Sequence, residues 1–170
     1  MGKVPEKEKI ARGRAGELRV VSELCRRGYF ATATMGNTPD TDVVCVNASC
    51  QKTVFIQVKT FRVNAKTCLV GKKAEHDFGE YFFWVLVGLK DEKNQGEELF
   101  YIIPSHEMAE GITSLRSKWL QTIGRNGLKH NKKNSIRNVR FSAVNNRANF
   151  DFDVSQYKDR WDLITERLKA

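Results

Sequence analysis

Apolar positions recur along the chain in two periods, and these divide it into elements. Over residues 6–27, Ile10, Leu18, Val21, Leu24 and Cys25 return near every 3.6 residues, the mark of one amphipathic helix. Arg26 and Arg27 give it a basic last turn, and Gly28 a stop. Gly13 and Gly16 weaken its first half and leave room for a later start. Residues 30–34 predict a short strand, and 35–41, with Gly36, Asn37 and Pro39, a turn. Residues 42–46 and 53–60 predict two strands joined by a short polar link, hence a hairpin. Residues 81–87 are apolar at every position, which predicts a central strand covered on both faces. Another strand follows at 99–103, ended by Pro104, and Ser105 can cap a helix that Gly111 interrupts and that resumes to Thr122. Residues 126–149 read as loop with a short strand at 139–143. A last helix over 156–168 carries Tyr157, Trp161, Ile164 and Leu168 on one side. Helix, three strands, an ill-defined segment, two strands and closing helices describe an α/β sheet with helices on its faces.

Composition adds a partner to this picture. The chain has 170 residues, a length that suggests one domain over 1–170, its core over 6–104 and a basic loop with a C-terminal helix over 105–170. The net charge of +9 favours an anionic partner, nucleic acid before an acidic membrane surface. No stretch approaches the ~20 apolar residues that span a bilayer, and the charged first 14 residues lack a signal peptide's apolar segment. A cytoplasmic location is therefore expected. Four cysteines, Cys25, Cys45, Cys50 and Cys68, and three scattered histidines form no zinc-ligand spacing, and the cysteines are expected to be reduced and mostly buried.

Three features depart from the apolar pattern. Glu17 falls near the middle of the first helix's apolar face, where a carboxylate is costly unless paired or bound to a cation; a salt bridge to Arg14 or a half-exposed helix start would explain it equally. Asp42 opens the strand Asp42-Val43-Val44-Cys45-Val46, as an acid ending a turn can. Yet residues 43–74 contain no acid and six Lys or Arg, which makes it the lone acid beside a basic region. In Gln57-Val58-Lys59, strand alternation puts Gln57 and Lys59 on one face with Phe55, and Val54, Ile56 and Val58 on the other. A solvated edge would also accept that arrangement. Together these residues suit phosphodiester hydrolysis. A hard cation takes oxygen ligands, which Asp42, Glu17, the Gln57 amide and the Val58 backbone carbonyl can supply. The cation would polarise a phosphoryl oxygen and acidify a water. Lys59 would orient the water and stabilise transition-state charge.

Arg12-Gly13-Arg14-Ala15-Gly16-Glu17, Gly28-Tyr29, Pro39-Asp40-Thr41-Asp42-Val43-Val44 and Phe55-Ile56-Gln57-Val58-Lys59-Thr60, in this order, resemble the PD-(D/E)XK nuclease superfamily. The order and spacing look most like the small Holliday-junction-resolvase-like members, and the likeness covers about the first 60 residues. It implies a restriction-endonuclease-like mixed sheet flanked by helices: a helix, a three-stranded meander, a crossover helix and further strands. It implies catalytic roles for Glu17, Asp42, Gln57 and Lys59. Magnesium or manganese would sit on Asp42, Glu17, Gln57 and Val58. Two departures stand out. Gln57 occupies a position where an acid is usual, and both Asp40 and Asp42 could supply the motif aspartate. Asp42 is preferred because two apolar residues follow it.

The remaining charge lies in one place. Residues 111–150 hold no acid and nine Lys or Arg, which equals the chain's whole net charge. Together with Arg12 and Arg14, the candidate nucleic-acid contacts here are Arg125, Lys129, Lys132, Lys133, Arg137 and Arg140; a solvated loop is the competing explanation. No motif for reading bases is present. The expected activity is a metal-dependent endonuclease acting on nucleic acid, DNA first. The alternatives are a nuclease-fold DNA-binding module weakened in chemistry by Gln57, and a basic assembly or ribosome-associated protein. Oligomeric state stays open, a homodimer included.

Overall fold

A computed structural model describes residues 5–35, 38–90, 95–124, 127–141 and 150–169. The elements in order are α1 (Glu6–Arg26), β1 (Phe30–Ala33), β2 (Val43–Val46), β3 (Thr53–Arg62), β4 (Thr67–Leu69), a 3-10 turn (Lys72–Glu75), β5 (Phe82–Leu89), β6 (Leu99–Pro104), α2 (Ser105–Gln121), β7 (Asn138–Arg140), β8 (Phe152–Asp153), a second 3-10 turn (Ser155–Tyr157) and α3 (Asp162–Leu168). Five strands form a mixed sheet in the order β1-β2-β3-β5-β6, giving an α/β fold. The β1-β2-β3 meander is antiparallel, β5 runs parallel to β3, and β6 antiparallel to β5. β4, β7 and β8 make a second, three-stranded sheet.

The meander turns where Asn47 Oδ1 accepts the backbone N–H groups of Gln51 and Lys52 at 2.9 and 3.1 Å, an Asn side chain standing in for a backbone partner. β5 is an interior strand, between β3 and the edge strand β6, and is buried from Phe82 to Gly88, as its unbroken apolar run predicts. One sheet face packs Val43, Cys45, Val54, Ile56, Val58, Phe83 and Val85 against Val20 and Leu24 of α1 and Ile164 and Leu168 of α3. The other packs Phe82, Trp84, Leu86, Tyr101 and Ile103 against Met108 and Ile112 of α2 and against the small sheet. Among the described residues this second core takes none from β1 or β2, and Phe30, Thr32 and Phe55 on that face are exposed. Cys45 and Cys68 are buried, and burial pushes each thiol up to about 12; Cys25 and Cys50 are exposed.

Several expectations need correction. The inward face of α1 is Gly16, Val20, Glu23 and Leu24, while Ile10, Leu18 and Cys25 are exposed. The core reaches only the side of the helix that Gly16 lets approach β3. Gly111 does not interrupt α2, because the Phe152 ring occupies the space a side chain would need: a Cβ there would lie 2.6 Å from it. Packing outweighs the ~1 kcal/mol propensity cost of glycine. The crossover from β3 to β5 contains β4 and the 3-10 turn, not an α-helix. The final helix is shorter than expected. Asp159, at φ 54°, separates the second 3-10 turn from α3, yet Tyr157, Trp161, Ile164 and Leu168 are all buried. Of the strand expected at 139–143, the first part lies in β7 and residues 142–149 fall outside the described residues.

Candidate active site

β3 outruns its neighbour. β2 begins only at Val43, paired with Ile56, whereas antiparallel β3 continues past that pair to Arg62. Past Ile56 the backbone of β3 on that side loses its ladder partner, and the Asp42 side chain replaces it. Asp42 N donates to Ile56 O at 2.9 Å, and Asp42 Oδ2 accepts the Val58 N–H at 2.7 Å. The Gln57 amide also donates to Asp42 Oδ2. An acid opening a strand thus takes over the hydrogen bond that a longer β2 would have made. Burial raises the Asp42 carboxyl above its ordinary pKa. The Val58 N–H opposes that, the negative charge of Glu17 adds to it, and Lys59 and the Gln57 amide oppose it.

Glu17 arrives from α1 on the other layer. Gly16 seats the helix on Thr60: a Cβ at residue 16 would overlap the Thr60 hydroxyl, which is itself buried without a hydrogen-bond partner. This close approach, with the strand divergence, lets a carboxylate from the helix layer reach a cleft formed by sheet residues. Arg14 Nη1 holds Glu17 Oε2 at 2.7 Å. Glu17 is half-buried. The carboxylate inside the helix–sheet layer is instead Glu23, whose burial is offset by Arg26 and Arg27 at 2.8 and 2.9 Å; the Arg26 hydrogen bond leads in holding its pKa low.

Glu17, Asp42, Gln57, Val58 and Lys59 line one open cleft of about 380 Å³, with Lys9, Arg12, Gly13 and Thr60. Gln57 is only 6% exposed, which is not the solvated polar edge that alternation alone allowed. Asp40 is elsewhere. It has a left-handed backbone, φ 59°, and its carboxylate pairs with Lys73 of the 3-10 turn. Among the described residues no three His, Cys, Asp or Glu side chains gather into a metal-ligating group. Sequence reasoning missed Lys9 and Thr60 as cleft walls. Gly13 and Gly16, three residues apart just before Glu17, were the available signal, since small residues on one helix side permit close approach to a strand.

The basic candidates separate into three groups. Arg12, half-buried, lines the cleft and pairs with Glu8 at 2.6 Å; Arg14 is exposed beside Glu17. Lys129, Lys132 and Lys133 are exposed. Their segment is stapled by Arg116 Nη2, which donates to the carbonyls of Asn131 and Lys132 at 3.3 and 3.0 Å, and by Trp119 stacked on His130 at 3.8 Å. Arg137 is buried, 2.5 Å from Glu75, and donates to the carbonyls of Asn134 and Ile136; Arg140 is half-buried 3.5 Å from Asp153. The fold therefore turns these two inward rather than toward a phosphate. Arg125 lies outside the described residues.

The class defined by this arrangement is a mixed α/β sheet flanked by helices, with a polar cleft where two strands diverge. That fold is similar to the one in "The structure of a bacterial homing endonuclease: I-Ssp6803I", with a TM-score of 0.53 and 14% identity over 98% of this chain and 94% of that one. At that identity the likeness is one of fold. No family model and no curated protein matches the sequence. Among the described residues no helix is long and apolar enough to cross a membrane.

Proposed function

We propose that this chain is a metal-dependent endonuclease of the PD-(D/E)XK type that hydrolyses phosphodiester bonds, with DNA as substrate. The observation that carries the reading is the cleft in which Asp42, Glu17, Gln57 and Lys59 meet. The donor set fits a hard divalent cation. Asp42 is a half-buried carboxylate whose charge is disfavoured by burial and by Glu17, and a cation between the two acids would remove both costs. Asp42, Glu17, the Gln57 amide oxygen and the Val58 carbonyl would hold magnesium or manganese, which supplies Lewis-acid polarisation of a phosphoryl oxygen and acidifies a water.

The chain's own groups do the rest. The Val58 N–H and the Gln57 amide fix the orientation of Asp42. Arg14 holds Glu17 toward the cleft. Lys59 carries no acceptor, so it donates to phosphate oxygens or to the attacking water and offsets the charge that builds on phosphorus. Lys9 and Arg12, on the cleft wall, attract the phosphodiester backbone. The test is incubation with supercoiled plasmid, single-stranded, branched and RNA substrates plus magnesium. Magnesium-dependent cleavage of DNA is expected, and metal-independent or absent cleavage across the panel would overturn the reading.

One observation favours a second reading, a DNA-binding module that keeps this fold without efficient cleavage. Gln57 brings no negative charge, and no third acid joins Asp42 and Glu17 among the described residues. Calorimetry with magnesium separates the two: the enzyme binds metal and loses that binding without Asp42, whereas the module gives no heat in either form.

Under both readings the exposed lysines contact phosphate. Replacing Lys129, Lys132 and Lys133 together by serine should flatten the log–log dependence of affinity on salt by about 0.9 per lost contact. An unchanged slope in a salt titration would show that this segment is merely solvated.

A further inference from the structure

Among the described residues three glycines lie within helices: Gly13 and Gly16 in α1, and Gly111 in α2. Two of them have a packing reason. A Cβ on Gly16 would overlap the Thr60 hydroxyl, and one on Gly111 would stand 2.6 Å from the Phe152 ring. Gly13 has none. It lies near the same side of α1 as Gly16, yet only Gly16 touches β3. Among the described residues, nothing outside the local helix backbone lies within 4 Å of where a Gly13 Cβ would stand. Nor does its backbone take a left-handed conformation. Glycine is among the least favourable residues inside a helix, and at this position nothing within the described fold calls for it.

Its place explains it. The cleft with Lys9, Arg12 and Lys59 is one opening onto Glu17 and Asp42. A second opening of about 390 Å³, lined by Ile10, Arg14 and Thr34, reaches the same two acids. Gly13 is common to both. By helical phase Lys9 and Arg12 fall on one side of Gly13, and Ile10 and Arg14 on the other. Residue 13 is therefore the ridge between the openings, and glycine keeps that ridge low. The cations along it are already partnered: Lys9 with Glu6, Arg12 with Glu8 and Arg14 with Glu17. Free positive charge thus does not select the occupant; the acid pair does. A phosphodiester cut inside a strand has chain on both sides of its phosphorus, and openings on both sides of Asp42 and Glu17 give that chain a way in and a way out.

We propose that the strand to be cut crosses α1 at Gly13, passing from one opening to the other, and that the missing side chain leaves room for its sugar–phosphate backbone. This rests on the nuclease reading above and adds the path of its substrate.

The test sets stability against binding, in the full chain without divalent metal, so that binding is read without cleavage. Alanine and leucine are better helix formers than glycine, and the site has room for both. Gly13→Ala and Gly13→Leu should therefore each raise the melting temperature by about 2–4 °C. Gly13→Leu should nevertheless weaken binding of a short DNA duplex by about tenfold or more. Ala11→Leu enlarges a side chain on the exposed far side of the same helix and should leave DNA affinity unchanged. DNA affinity that is unchanged in Gly13→Leu, or lowered as much by Ala11→Leu, overturns the crossing while leaving the nuclease reading standing. A Gly13→Leu chain that melts below the natural one shows that the glycine serves the fold, and overturns it too. A natural chain that binds DNA but cuts none under magnesium overturns the nuclease reading alone, and the same binding comparison still decides the crossing. Failure of the natural chain to bind DNA overturns both.

Discussion

Asp42→Ala should abolish cleavage, with a rate loss of roughly a thousandfold or more, the equivalent of about 4 kcal/mol of lost Lewis-acid stabilisation. Asp42 is the candidate carboxylate whose charge the fold disfavours, and it bridges the strand divergence through the Val58 N–H. Magnesium binding, followed by calorimetry, should disappear in the same variant. DNA affinity measured without metal should stay nearly intact, because the basic residues at the cleft and on the lysine segment are untouched. Asp42→Asn keeps an acceptor for the Val58 N–H but removes the charge. Folding raises the Asp42 pKa, so the ionised group opposes folding at neutral pH, and this opposition fades as pH falls. The metal-free Asn variant should therefore melt no lower than the natural chain at pH 7. Lys59→Ala separates the roles further: the rate should fall severely while calorimetric metal binding persists, since an ammonium donates to water and phosphate rather than to the ion. Cleavage at natural rates by Asp42→Ala would sink the site.

Gln57→Glu is the second large effect expected. It adds a charged oxygen to a cleft that has two acids, and magnesium should bind on the order of tenfold more tightly. The same change removes the amide N–H that Gln57 gives to Asp42 and sets three carboxylates together. Without metal, like charges then repel in a partly buried site, so the melting temperature should drop; with magnesium it should recover. In an enzyme built around Gln57, activity persists with an altered metal preference. In a binding module weakened at this position, cleavage appears where the natural chain has none. If neither the natural chain nor Gln57→Glu binds metal or cuts any substrate, the nuclease reading fails and the binding module stands.

Period and unbroken apolar runs alone determined α1, the meander, β5 and β6. The 10-residue β3 contains enough repeats for local pattern to state which residues share a face, whereas the 21-residue α1 was legible as a helix but not in which side it buries. For the same reason the placement of Gln57 with Lys59, opposite Ile56 and Val58, was legible in the sequence. Asp42 was legible as an acid at a strand mouth beside an acid-free stretch. The tertiary structure decided everything that depends on distant partners. Strands as short as the three residues of β4 and β7 carry no readable period, so the small sheet and the helix-free crossover were invisible. The continuity of α2 through Gly111 depends on Phe152, far along the chain, filling the space of the missing side chain. Arg137 reads as a surface cation until Glu75, 62 positions away, pulls it inward. Which helical acid would be buried was likewise undecided: Glu17 lay on the apparent apolar stripe, but the seat of Gly16 on Thr60 rotates Glu23 into the layer and leaves Glu17 at the cleft. Nor could the sequence say that α2 would stop short of β1 and β2 and leave Phe55 uncovered. Coverage of a sheet depends on how many elements the fold has to lay over it, and only the assembled chain settles that count.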